Sequence, residues 1–231
     1  MKPTVLLFDV DGTLVTTCGA GRRAIERAFE LRHGSKAMLS FSFGGMTDKA
    51  IVRTAFAALG VSFGSEADLE REMDATLRFY LDVLADEVAR TPIRIHDGMT
   101  RAMDMADARP EVALGLGTGN IRRGAEIKLD RVGIYHRFSF GGFGDDSIDR
   151  PTLLMAGARR GAEKLGAAVE DCRIVVIGDT PKDIAAARAI GADSIAVATG
   201  MHDVGELRQC EPTAVFANLA DEHAPEAIFG R

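Results

Sequence analysis

Short apolar runs that end in polar, glycine-containing turns recur along the chain and predict its core. Thr4–Phe8 is continuous rather than alternating, and it gives way to Asp9-Val10-Asp11-Gly12. A strand buried on both faces of a parallel sheet has this pattern. The design returns twice: residues 112–116 run into Gly117-Thr118-Gly119-Asn120, and residues 173–177 into Gly178-Asp179-Thr180-Pro181. Helical spacing follows in residues 121–131 and 181–190, where Pro181 suits a first helical turn and Gly191 a stop. Residues 100–108 and 151–165 predict helices ahead of the second and third strands, and 194–198 and 214–216 predict further short strands. Strand, polar turn and helix in repetition predict an α/β fold with a Rossmann-like parallel sheet.

Residues 16–92 differ in character. Apolar positions recur at helical spacing in 24–32, 48–59 and 67–90, with no strand pattern between them. We expect an inserted α-helical cap domain over residues 16–92, set in a core made of residues 1–15 and 93–231. The turn Thr16-Thr17-Cys18-Gly19 and the break at Thr91-Pro92 are the expected hinges. The glycine-rich residues 140–144 are expected to form a mobile loop beside the strand ends.

Composition narrows the function classes. The chain has 231 residues, 46% of them hydrophobic, and its 28 Lys and Arg against 34 Asp and Glu leave a net charge of −6. That balance, with scattered arginines, disfavours a sequence-independent grip on nucleic acid. No run approaches the ~18 apolar residues of a membrane span, and only four apolar residues separate the first lysine from Asp9, so no secretory leader is expected. Three widely spaced cysteines, Cys18, Cys172 and Cys210, fit neither a disulfide framework nor a paired-cysteine zinc site, and a cytoplasmic setting is expected.

In an open parallel sheet, ligands gather at the carboxyl ends of the strands. The three turns would therefore bring Asp9, Asp11, Thr118, Asp179 and Asp183 into one small volume. Clustered carboxylates without sulfur or histidine favour a hard cation, Mg²⁺ above all. The Thr118 hydroxyl and the amides after it, at a helix start, offer a seat for a phosphoryl oxygen. A calcium loop opening at Asp9 fails, because its closing position holds Ala20 instead of Glu. The run 115–120 nearly matches a dinucleotide fingerprint, but Asn120 stands where the last glycine belongs.

Taken together, DVDGTL at 9–14, GTGN at 117–120 and GDTPKD at 178–183 resemble three of the four signature motifs of the haloacid dehalogenase (HAD) superfamily, and the helical insertion resembles the cap of its phosphoglycolate phosphatase-like branch. The resemblance spans essentially the whole chain. It implies that Asp9 attacks phosphorus to give an aspartyl-phosphate, and that Asp11 protonates the leaving oxygen and then deprotonates water. It also implies a Mg²⁺ site from Asp9, the backbone carbonyl of Asp11 and Asp179, with Asp183 holding a bound water or a neighbouring group. For Asp11 to act as an acid, burial or negative neighbours must keep it protonated near neutral pH.

One motif departs from the family pattern. Where relatives carry Lys-Pro, this chain reads Arg150-Pro151. Arg150 is one candidate for the phosphate-neutralising cation and Lys182 the other; Lys164 lies about 21 Å further along a continuous helix. Gly119 and Asn120 in the core, and Gly45, Thr47 and Asp48 in the cap, are expected to bind the substrate or its phosphate, with Arg22 and Arg23 as further candidates for an anionic tail. The resulting expectation is a hydrolase of a small soluble phosphate monoester, as monomer or dimer. A β-phosphoglucomutase-like phosphoryl transferase and a non-catalytic binding protein of the same fold are the alternatives.

Overall fold

The computed structural model describes residues 2–34 and 39–230. Strand β1 (Thr4–Phe8) leads through β2 (Val15–Thr16) into three helices, α1 (Ala20–His33), α2 (Asp48–Ala58) and α3 (Glu66–Arg90). The chain returns through β3 (Arg94–Ile95), antiparallel to β2. Helices and strands then alternate: α4 (Met99–Asp107), β4 (Val112–Gly117), α5 (Arg122–Asp130), β5 (Gly141–Gly142), α6 (Arg150–Lys164), β6 (Arg173–Gly178) and α7 (Pro181–Ala189). The series closes with β7 (Asp193–Val197), α8 (Val204–Gln209), β8 (Ala214–Phe216) and α9 (Ala224–Phe229).

The six larger-sheet strands lie in the order β5-β4-β1-β6-β7-β8, all parallel. In the centre, Leu6 pairs with Leu114 on one side and Val175 on the other. Every residue of β1 is buried, which explains its unbroken apolar run. Leu6 and Phe8 pack with Met99, Met103 and Leu129 on one face, whereas Val5 and Leu7 pack with Leu153 and Leu154 on the other. The chain moves to one side of β1 for β4 and β5 and to the other for β6 to β8, so the crevice at the carboxyl ends of β1, β4 and β6 is a topological switch point.

Helices α1, α2 and α3 bury their own apolar cluster, including Phe29, Val52, Phe56, Met73 and Leu84. Ile121, just before α5, joins that cluster from the sheet side and ties the helical lobe to the core. Residues 140–144 correct an expectation: they are not a mobile loop but carry β5, with Phe140 and Phe143 buried. Glycine is needed there because a Cβ on Gly142 would stand 1.8 Å from the Leu153 carbonyl oxygen, so close does α6 lie. The expected hinge turn also begins one residue late, since Thr16 pairs with Arg94 in the small sheet.

Candidate active site

Asp9 follows β1 directly, its backbone N–H bonded to the Ile177 carbonyl at 2.9 Å, so the sheet fixes its position. The chain then turns at Gly12, whose φ of 82° is open to glycine, and a Cβ there would meet an Asp179 carboxylate oxygen at 2.4 Å. From β6, Asp179 is held by the Thr13 hydroxyl at 2.8 Å. Thr180 caps α7 in a reciprocal box with Asp183, whose carboxylate accepts from the Thr180 amide and hydroxyl. Among the described residues, carboxylate oxygens of Asp9, Asp179 and Asp183 lie within 4.8 Å of one another, all buried.

That crowding is costly without a cation. Burial, reinforced by Asp183 and opposed by Arg150, pushes the Asp9 carboxyl up to about 6. Burial and then the charges of Asp183 and Asp9 push Asp179 up to about 8. Three clustered hard oxygen donors, two of them on carboxyls raised above their ordinary value, suit a divalent cation. Arg150, at the start of α6 and 7% exposed, supplies fixed positive charge: it bonds the Asp183 carboxylate, lies 3.2 Å from Asp9 Oδ2 and donates to the Gly45 carbonyl at 3.4 Å. Of the two candidate cations, Arg150 therefore lies in the site, whereas Lys182 lines a neighbouring crevice.

On the opposite side stands a residue the motifs do not mark. Lys128, on α5 and 3% exposed, donates to Asp11 Oδ2 at 2.6 Å and to Asn120 Oδ1 at 2.5 Å. Asn120 in turn donates to Asp11 at 2.9 Å and to the Thr118 hydroxyl at 2.8 Å, and Thr17 donates to Asp11 Oδ1 at 2.9 Å. Thr118 also hydrogen-bonds Asp9. This network corrects the expected protonation of Asp11. Burial does act to raise its pKa, but Lys128, Asn120 and Thr17 outweigh burial and hold the carboxylate below its ordinary value.

The helical lobe closes over these groups. Asp48 donates its backbone N–H to the Gly119 carbonyl at 2.8 Å, and its carboxylate accepts the Ile121 N–H at 2.9 Å, so it joins the lobes. Gly119 permits the approach, since a Cβ there would stand 2.3 Å from the Met46 carbonyl oxygen. Between the lobes lies a cavity of about 390 Å³, lined by Asp9, Asp11, Gly45, Asp48, Gly119, Asn120, Lys128, Arg150 and Asp179. Thr47 is not among its lining residues: it caps α2 by accepting from Ala50 and donates to the Ile148 carbonyl. Arg22 lines the cavity while donating to the Leu39 and Phe41 carbonyls. Arg23 is committed elsewhere, to Glu87, Thr91 and the Cys18 carbonyl at the hinge.

The chain is similar to several known proteins in sequence and fold. The HAD-hydrolase-like family model matches residues 152–222, which include Asp179 and Asp183. The chain is 26% identical to "Probable phosphatase IndB" of Dickeya dadantii, over 96% of this chain and 92% of that one. It is 27% identical to phosphoglycolate phosphatase 1 of Pseudomonas aeruginosa, over 95% of this chain and 78% of the relative. Among solved structures, CbbY from Rhodobacter sphaeroides in complex with phosphate shares the fold with a TM-score of 0.70, at 19% identity and 99% coverage of both chains. A hydrolase from Pseudomonas syringae does so with a TM-score of 0.68, at 21% identity, covering 94% of this chain and 95% of the other. No helix of the described residues is long and apolar enough to cross a membrane. In its fold and in the match over residues 152–222, the chain is similar to the HAD-like hydrolases.

Proposed function

We propose that the chain is a Mg²⁺-dependent phosphatase that hydrolyses a small phosphate monoester through an aspartyl-phosphate on Asp9. The observation that carries this reading is the placement of Asp9: buried at the end of β1, open to the cavity, and flanked by Arg150 and the Asp179–Asp183 pair. Its resemblance to phosphoglycolate phosphatases in sequence extends the reading to small esters.

Asp9, Asp179 and Asp183, with the Asp11 backbone carbonyl, would hold the ion, as their chemistry fits a hard cation. When bound, Mg²⁺ offsets repulsion between the carboxylates and the incoming phosphate. An Asp9 oxygen attacks phosphorus, and the bond from phosphorus to the ester oxygen breaks as that oxygen takes a proton from Asp11. Two slow displacements replace one much slower hydrolysis. The dianionic phosphate of a bound ester raises the Asp11 pKa against the pull of Lys128, which favours the protonated form needed in this step. In the second step, Asp11 accepts a proton from water, and the water oxygen displaces Asp9 from phosphorus. Arg150 and the Thr118 hydroxyl stabilise the phosphoryl oxygens throughout. The helical lobe excludes bulk water during transfer.

Phosphate release from 2-phosphoglycolate and p-nitrophenyl phosphate, with Mg²⁺ or with chelator, tests the reading. Release that needs the metal supports it, and release unaffected by chelator counts against it. A phosphorylated product without free phosphate would instead favour phosphoryl transfer.

A further inference from the structure

Two buried polar groups in the cavity wall carry unused hydrogen-bonding capacity. Tyr80, on α3, is 1% exposed within the apolar interior of the helical lobe, yet its hydroxyl is buried with no hydrogen-bond partner among the described residues. A buried hydroxyl in that condition is destabilising unless a bound molecule supplies the partner. Lys128 has three ammonium protons, and Asp11 and Asn120 engage two of them. The position between these groups is bare because residue 21 is glycine: a Cβ there would stand 3.3 Å from Lys128 Nζ and 4.0 Å from Tyr80 Oη. Gly21, Tyr80 and Lys128 all line the cavity that holds Asp9 and Asp11.

We infer that Lys128 and Tyr80 form a subsite, over Gly21, for an uncharged acceptor oxygen on the leaving-group side of the ester. The ammonium only donates and the Tyr80 hydroxyl can donate, so one acceptor oxygen satisfies both. The Lys128 charge is already matched by Asp11, and Asp48 also acts on the same corner electrostatically. The charge balance therefore favours a hydroxyl or carbonyl oxygen over a carboxylate. The preferred substrate class is a phosphate ester with such an oxygen close to the ester linkage, and an unsubstituted alkyl phosphate leaves Tyr80 unpaired. This inference rests on the phosphatase reading and adds a specificity to it.

The test measures kcat/KM for ethyl phosphate, 2-hydroxyethyl phosphate and 2-phosphoglycolate with the native chain, Tyr80→Phe and Gly21→Ala. The native chain should favour 2-hydroxyethyl phosphate over ethyl phosphate about tenfold, the worth of one good buried hydrogen bond. Tyr80→Phe should bring that ratio close to one. Gly21→Ala should do the same by filling the space, and a melting curve that stays cooperative shows that the variant is folded. A ratio that Tyr80→Phe leaves unchanged overturns the inference alone. So does a preference for 2-phosphoglycolate over 2-hydroxyethyl phosphate that Tyr80→Phe abolishes, because the subsite would then take an anion. Absence of phosphate release from every ester by the native chain removes the phosphatase reading and this inference together.

Discussion

Replacing Lys128 by methionine keeps most of the side-chain volume and removes the ammonium that bridges Asp11 and Asn120. A hydrogen bond to a charged group contributes about 1.5–3 kcal/mol, and breaking a fully buried ion pair costs about 3–5 kcal/mol. Lys128 is 3% exposed but the Asp11 side chain is 36% exposed, so water recovers part of Asp11's solvation and the lower range applies, about 2 kcal/mol. For a chain of this size the melting temperature should fall by about 4–8 °C. The sign of the pH dependence follows from the depressed pKa of Asp11. Its contribution is fully present above the unfolded value near ~4 and is lost as pH falls through the lower folded value. Urea unfolding at pH 7 of the native chain, Lys128→Met, Asp11→Asn and the double variant measures the coupling directly. A coupling of at least about 1 kcal/mol is expected. Additivity within about 0.5 kcal/mol, as for independent sites, would refute the proposed bridge.

Three other variants or conditions follow from the same site. Arg150→Met should lower kcat at least ~100-fold by removing the charge beside Asp9, whereas Arg150→Lys should retain measurable turnover; steady-state kinetics separates the two. Without metal, the raised pKa values of Asp9 and Asp179 mean the folded chain binds more protons than the unfolded one between about pH 4 and 8, so stability falls as pH rises through that window. Mg²⁺ needs these carboxylates ionised, so the rise in melting temperature on adding Mg²⁺ should be larger at pH 8 than at pH 6. Thr47→Ala removes a helix cap and should cost about 1 kcal/mol in denaturant unfolding, while kcat/KM changes by less than about threefold.

The sheet was legible because its three central strands are buried on both faces, which leaves continuous apolar runs ending in the polar turns that carry Asp9, Thr118 and Asp179. The helical insertion was legible from period, and its three helices end within a few residues of the expected bounds. Strand β5 was not, because it is two glycines with no side chain to show alternation, selected by the nearness of α6. Helices α8 and α9, six residues each, are too short to display a period. In the site, Lys128 went unmarked because a lysine on a helix is by default solvated. A signal was present nonetheless: Lys128 falls on the inward stripe of α5 with Gly124, Ala125 and Leu129, where an apolar residue would be expected. Once that lysine is placed, the ionised state of Asp11 follows from charge. Thr47 shows the reverse case, a polar helix start that suggests ligand contact but serves as a cap outside the cavity, whereas its neighbour Asp48 lines the cavity and also joins the lobes.

The central claim is that Asp9 is the nucleophile, and phosphate release by Asp9→Asn compared with the native chain tests it most directly. With Mg²⁺ and an ester that the native chain hydrolyses, the account predicts release lowered by at least ~1,000-fold in the variant, with unfolding that remains cooperative. Release within tenfold of the native rate by the folded variant would contradict it and assign the attack on phosphorus to another group in the cavity.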